Sequence, residues 1–129
     1  MDKIFGASAQ ALQLCEDRAV LITNNITNAS TPNYKARDIN FREAMQNAQF
    51  SLNSQLDKTS NLHMDSSDSM DGLPIEYRIP MQQSLDGNTV DGNLERKSFL
   101  ENSIRYQVNL TFIQNKTEQI TRALNGDQA

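Results

Sequence analysis

The feature that most constrains this chain is a pair of apolar seams, one near each end, that repeat on a heptad. Phe5, Ser8, Leu12, Cys15, Ala19, Ile22, Ile26 and Ala29 follow one another at alternating spacings of three and four residues. That is the periodicity of a helix laying one side along a partner. Phe99, Ser103, Tyr106, Leu110, Ile113, Thr117, Ile120 and Leu124 repeat the pattern over a similar length. Strands are excluded over these stretches, because their side chains alternate every two residues. The spacing predicts two helices of roughly 25–32 residues, about 40–48 Å long, packed as a parallel or antiparallel pair. Leu14 and Leu21 widen the apolar side of the first helix, and Leu100, Ile104, Val108 and Phe112 that of the second. With one side of each helix buried in the pair, these flanking stripes are expected to face outward, as partner surfaces do.

Punctuation places the ends of the elements. Thr31-Pro32 stops the first helix, since proline disfavours helical geometry in the residue before it. Asn40 with Glu43 forms a capping-box pattern behind Ile39. Phe41, Met45, Ala48 and Leu52 then recur at helical spacing, which predicts a short second helix. From Ser51 to Asp71 the chain turns to Asn, Ser and Asp, a composition that cannot offset its ordering entropy by burial, and a loop is expected there. Pro74, Ile75, Tyr77, Ile79 and Pro80 suit a short extended stretch that needs an outside edge to pack on. Asp86-Gly87-Asn88 is a turn signal, Asp91 an N-cap with Val90 just ahead of it, and Asn125-Gly126 a helix stop. Glu101 with Arg105 and Glu118 with Arg122 are four-residue ion pairs in the favourable order. The expected fold is mainly α. An N-terminal helix occupies residues 1–31, a turn, short helix and polar segment residues 32–80, and a turn and C-terminal helix residues 81–129, together forming one domain.

Composition narrows the function classes. Apolar residues make up 37% of the chain, aromatic residues 6%, and Trp is absent. Compact domains usually reach about 45–50% with Gly counted, so a narrow helical seam is expected rather than a broad layered core. Two architectures stay open: a monomeric bundle in which the 41–56 helix covers the exposed side, or a subunit completed by neighbouring chains. A net charge of −4 disfavours binding nucleic acid through a basic surface. Residues 57–91 hold seven acids against Lys58 and Arg78, so the polar middle reads as solvated. Cys15 stands alone inside an apolar pattern and reads as a buried free thiol. No cleavable secretion signal or 18-residue apolar run is visible.

Catalytic groups are sparse. His63 is the only histidine and has no second ligand for a metal. Asp65, Asp68 and Asp71 recur every third residue, but the EF-hand spacing and its terminal Glu are missing. No Gly-rich phosphate loop, nucleophile elbow or zinc-protease helix occurs. The expectation is a protein that is not an enzyme, with no catalytic residue, metal, cofactor or small-molecule substrate.

The stretch NNITNASTPNYKARDINF, Asn24–Phe41, resembles the N-terminal signature of flagellar rod, hook and hook-associated axial proteins, roughly A-N-N-I-A-N-x-x-T-P-G-Y-K. Asn25, Ile26, Asn28, Thr31, Pro32, Tyr34 and Lys35 match it. The later run SLDGNTVD, carrying Asp86, Gly87, Asn88, Val90 and Asp91 ahead of a C-terminal helix with Tyr106, narrows the resemblance to the proximal-rod members of that family. It covers both ends, about two-thirds of the chain, and fades over residues 50–75. Asn33 stands where the family has Gly; Asn tolerates a left-handed backbone, so the turn can survive. Thr27 and Ser30 replace commoner small or acidic residues, and Gly92 weakens the first turn of the last helix.

The resemblance implies a structural subunit of the bacterial flagellar basal-body rod. It implies terminal helices that pair as a coiled coil and stack helically with other subunits to carry torque. Implied partners are further copies of itself, other rod proteins, the ring-to-rod adaptor, the membrane-ring protein and the flagellar type III export apparatus. Export without a cleaved signal peptide, and residence in the rod across the periplasm, follow in the same way. On this reading Phe5, Leu12, Ala19, Ile22 and Ile26 meet Phe99, Tyr106, Leu110, Ile113, Ile120 and Leu124 inside the subunit. Leu14, Leu21, Leu100, Ile104, Val108 and Phe112 pack between subunits. The rival expectation is a cytoplasmic helical adaptor or export-chaperone binding module.

Overall fold

The two seams become two long helices, α1 (Asp2–Thr27) and α3 (Gly92–Leu124). A shorter α2 (Phe41–Asn53) and a two-stranded hairpin, β1 (Arg37–Ile39) with β2 (Ile75–Tyr77), lie between them in sequence. This computed structural model describes residues 2–53 and 73–126. Most of the polar 51–71 stretch, with His63, Asp65, Asp68 and Asp71, lies outside the described residues.

Helix α1 stops at Thr27, four residues ahead of the expected Thr31-Pro32 boundary. Beyond it the backbone tightens into successive turns, with Ala29 N–H donating to Ile26 O and Thr31 N–H to Asn28 O. Helix α3 starts as its sequence predicts: Asp91 has extended geometry and accepts from the N–H groups of Asn93 and Leu94. At its end the Asn125 N–H donates to Thr121 O and Gly126 turns left-handed at φ +60°. Asn40 caps α2 by accepting from Glu43 N–H at 3.3 Å.

Asn25 lies beside Glu95, Cys15 beside Asn102 and Glu16 beside Tyr106, so α1 and α3 run antiparallel. At 33 residues against 26, α3 overhangs the start of α1, and Leu124 at its end is 79% exposed. The extended stretch finds its edge within the chain, not outside it: β2 pairs antiparallel with β1, Arg37 opposite Tyr77 and Ile39 opposite Ile75. Three-residue strands are marginal alone. Here Ile39 packs with Leu14, Leu21 and Ala44, and Phe41, Met45, Leu73 and Ile75 close around them.

That cluster corrects the outward reading of Leu14 and Leu21, which are 5% and 4% exposed in the chain's own core. Helix α1 buries two adjacent sides. Leu14 and Leu21 meet α2 and the hairpin, while the neighbouring Cys15 and Ile22 are buried as well. The centre of burial is therefore turned away from the heptad line, which leaves Ile26 at that line's edge, 40% exposed. Arg105 also departs from expectation: its guanidinium sits over the Phe41 ring at 5.2 Å, and Glu101 meets Lys97 instead. The Glu118–Arg122 pair is present at 3.2 Å.

Candidate functional site

Two turns meet where α1 ends and α3 begins, and nearly every contact between them comes from the two motifs. Asn88 is buried, and its amide donates to the carbonyls of Asn28, Ala29 and Thr31 at 2.9–3.0 Å, two hydrogens shared among three acceptors. Carbonyls at and beyond a helix C-terminus lack intrahelical partners; a side chain sixty residues away supplies one. Asn88 Oδ1 in turn accepts from Val90 N–H. Asn33 N–H donates to Asp86 O, Thr89 N–H to Tyr34 O, and Lys35 Nζ to Gly87 O. The Thr89 hydroxyl accepts from Ala36 N–H. Asp86 accepts from Ser84 and from Asn88 N–H, which holds its carboxyl below the ordinary range.

Asn33 takes φ +61°, the left-handed backbone that Gly would adopt at that turn. Opposite it, Gly87 has φ +73°, and a Cβ there would stand 2.6 Å from Asn33 Oδ1. Gly87→Ala therefore adds left-handed strain and obliges the exposed Asn33 side chain to turn aside. A loss of about 1–3 kcal/mol is expected, read as a lower urea midpoint with an unchanged slope.

Behind the turns lies a set of buried polar contacts that hydrophobic patterning passed over. Asn25 is fully buried; its amide donates to Arg37 O and Glu95 Oε2, and its oxygen accepts from Arg37 N–H and, at 3.5 Å, the Tyr34 hydroxyl. Glu95 is fully buried too and receives Arg78 Nη1. Arg78 Nη2 reaches Asp38 at 2.8 Å, and Arg18 grips the same carboxylate at 2.9 and 3.0 Å. The chain Arg18–Asp38–Arg78–Glu95–Asn25 thus joins α1, the hairpin and α3. Burial pushes the Asp38 carboxyl up, but hydrogen bonds from Arg18 and Arg78 outweigh it and the pKa falls below its ordinary value. For Glu95 the balance is reversed: burial dominates over the Asn25 hydrogen bond and the Arg78 charge, and its pKa is raised.

The rest of the α1–α3 contact is half polar. Glu95, Ser98 and Asn102 are the buried residues of α3, and Asn102 donates to Cys15 O at 2.7 Å. Cys15 is a buried free thiol, its pKa raised by burial. Of the residues expected in the seam, Ile22 is buried, while Phe5, Leu12, Ala19, Tyr106, Leu110, Ile113 and Ile120 are half-buried. Phe99 and Ile26 are 44% and 40% exposed, so Glu95, Ser98 and Asn102 hold the inward positions nearest Phe99. Glu95 and Asn102 lie seven residues apart, in step with the half-buried Asn109. At the start of α3 the buried line therefore runs one residue ahead of the expected one through Phe99 and Ser103.

Leu100, Ile104, Val108 and Phe112 lie 63%, 56%, 64% and 52% exposed along the side of α3 turned away from α1. Gln107, Thr111 and Asn115 border them along a shallow groove. No group of acidic, His or Cys side chains among the described residues could hold a metal ion, and no helix there is long and apolar enough to cross a membrane.

No family model matches the chain. Curated relatives do, over nearly its whole length. It is 43% identical over 128 residues to the flagellar basal body rod protein FlgB of Aeromonas hydrophila, covering 98% of this chain and 96% of that protein. It is 40% identical to FlgB of Cereibacter sphaeroides (strain ATCC 17029 / ATH 2.4.9), covering 95% and 94%. It is 34% identical to FlgB of Salmonella typhimurium, covering 98% and 96%. Nothing in these likenesses supports the adaptor or export-chaperone alternative. With motif turns, paired terminal helices and full-length similarity in agreement, the chain belongs to the FlgB family and is a structural component of the flagellar basal body rod.

Proposed function

We propose that this chain is a proximal-rod subunit whose outward α3 stripe packs against neighbouring subunits, so that a helical array of such contacts transmits torque from motor to hook and filament. The observation that supports this reading is the apolar stripe Leu100–Ile104–Val108–Phe112, exposed on a helix otherwise anchored along its opposite side. An isolated exposed leucine needs no explanation, whereas four in register mark a partner surface. Residues 1–31, 32–80 and 81–129 act together as one rod-core domain. The neighbours are further copies of the chain, other rod proteins, the ring-to-rod adaptor and the membrane-ring protein. Delivery is through the flagellar type III export apparatus without removal of a signal peptide.

Val108→Glu tests the stripe. Its side chain is solvent-exposed, so the monomer's circular dichroism and melting midpoint should match wild type. An unpaired carboxylate desolvated at a subunit contact costs several kcal/mol, so cells relying on this variant should export it and yet fail to swim or to yield complete rods. Normal swimming would overturn the stripe as an assembly surface.

A further inference from the structure

Resting on the reading that the α3 stripe is an assembly surface, we infer that its partner is the outer side of α1 on a second copy of this chain, centred on Val20, Thr23, Asn24 and Thr27. The outer side of α1 and the Val108–Phe112 half of the stripe lie in uncharged runs of a chain where 22% of residues are charged. Glu101 and Arg105 flank the Leu100–Ile104 half, and the Lys116 ammonium lies over the Phe112 ring at 5.3 Å. No Asp, Glu, Lys or Arg occurs from Ala19 to Tyr34, nor from Tyr106 to Asn115. Val20 is 47% exposed, Thr23, Asn24 and Thr27 are exposed, and Ile26 at the edge of the patch is 40% exposed. These residues recur at helical spacing on the side of α1 opposite Leu21, Ile22 and Asn25, all buried. The hydroxyls of Thr23 and Thr27 already donate to Ala19 O and Thr23 O. Covering them therefore strands no donor, and the apolar stripe meets methyl groups.

Charge also fixes how the two copies are offset. In the antiparallel pair, the centre of the stripe is level with the part of α1 near Leu14, where exposed Glu16 and half-buried Asp17 follow. A neighbour docked level would bury these carboxylates against apolar side chains, an unfavourable desolvation. Sliding it roughly ten residues, about 15 Å at 1.5 Å per residue, places the stripe on the uncharged Val20–Thr27 patch. The two surfaces are different parts of the chain, so the contact is heterologous. Combined with an axial slide, it is a screw operation that builds a helical row and not a closed dimer.

Reciprocal charges introduced on exposed positions test the pairing in cells that carry the variant as their only copy. Thr23→Lys and Val108→Glu should each lower the yield of basal bodies with complete rods by about ten-fold or more, the effect of roughly 1.4 kcal/mol or more per contact. Carrying both changes in one chain places Lys against Glu at every repeat and should restore most of the yield. The control Thr23→Glu with Val108→Glu sets like charges together and should remain defective. Normal rods with Val108→Glu alone would remove the stripe, and this partner with it. Defective Val108→Glu with normal Thr23→Lys, or a reciprocal pair no better than its singles, leaves the stripe standing and overturns the α1 partner. Unchanged helicity of each purified variant shows that assembly, not folding, is being read.

Discussion

Arg78→Ala is expected to destabilise the chain by about 3–5 kcal/mol, because removing one member of a buried ion pair leaves the other charge uncompensated. Domains of this kind are stable by only about 5–15 kcal/mol, so a large part of the margin disappears. Glu95 is the exposed-to-risk partner: it is fully buried on α3, and without Arg78 only the Asn25 amide remains to it. Asp38 fares better, since Arg18 still holds both of its oxygens. The defect should therefore be local to Glu95, and two comparisons isolate it. Arg78→Met with Glu95→Leu removes both charges and should recover most of the lost stability in urea melts, as replacing buried pairs by apolar groups often does. Lowering the pH should also narrow the gap between Arg78→Ala and wild type. Glu95 has a raised folded pKa, so its contribution is favourable below the ordinary value of 4.5 and is lost as pH rises through its own higher value. Asp38 has the opposite sign: its contribution, present above its ordinary value of 3.8, is lost as pH falls through its lowered one. Arg78 holds the Glu95 pKa down, so its removal raises that pKa further. The relief in Arg78→Ala should thus appear as pH falls from the variant's Glu95 pKa to the lower wild-type one, before Asp38 protonates. A gap that stays constant across that window would show that the loss comes from elsewhere.

The same network shows which parts of the fold were legible in the sequence and why others were not. Period reveals a helix whatever its inward residues are, so both long helices and the Asp91 cap could be read from spacing and cap chemistry alone. The side of α1 facing the core could not, because Leu14 and Leu21 answer to β1, β2 and α2, and the hairpin pairs residues nearly forty positions apart. Local pattern carries no information about a partner strand at that separation. Glu95, Ser98 and Asn102 hold inward positions one residue ahead of the line through Phe99 and Ser103, missed because a reading weighted by hydrophobicity skips carboxylates, hydroxyls and amides. Their burial is compensated by Arg78 and by Cys15 O, which only the tertiary arrangement delivers. The turn motifs were legible for a different reason. Asn33, Gly87 and Asn88 answer to backbone geometry and orphan carbonyls, and those demands are written in residue type.

Leu21→Ala and Ile104→Ala should separate folding from assembly, since the two side chains differ in what covers them. Leu21 is 4% exposed beside Leu14, Ile39 and Ala44, so truncation removes buried apolar surface and leaves a cavity. A loss of about 2–5 kcal/mol is expected, visible in the purified monomer as a lower melting temperature and urea midpoint. Ile104 is 56% exposed, and its truncation leaves no cavity within the chain. Its monomer stability should stay within about 0.5 kcal/mol of wild type, while rod yield falls, because the covered surface exists only between subunits. Alanine is the useful probe here, as it deletes packing without adding charge or helix strain. If Ile104→Ala destabilised the monomer as much as Leu21→Ala, the stripe would have to be covered within the chain, and its role between subunits would fail. If Leu21→Ala left the monomer unchanged and impaired only assembly, the outward position that its spacing first suggested would be the correct one, and the core around Ile39 and Ala44 would be wrong.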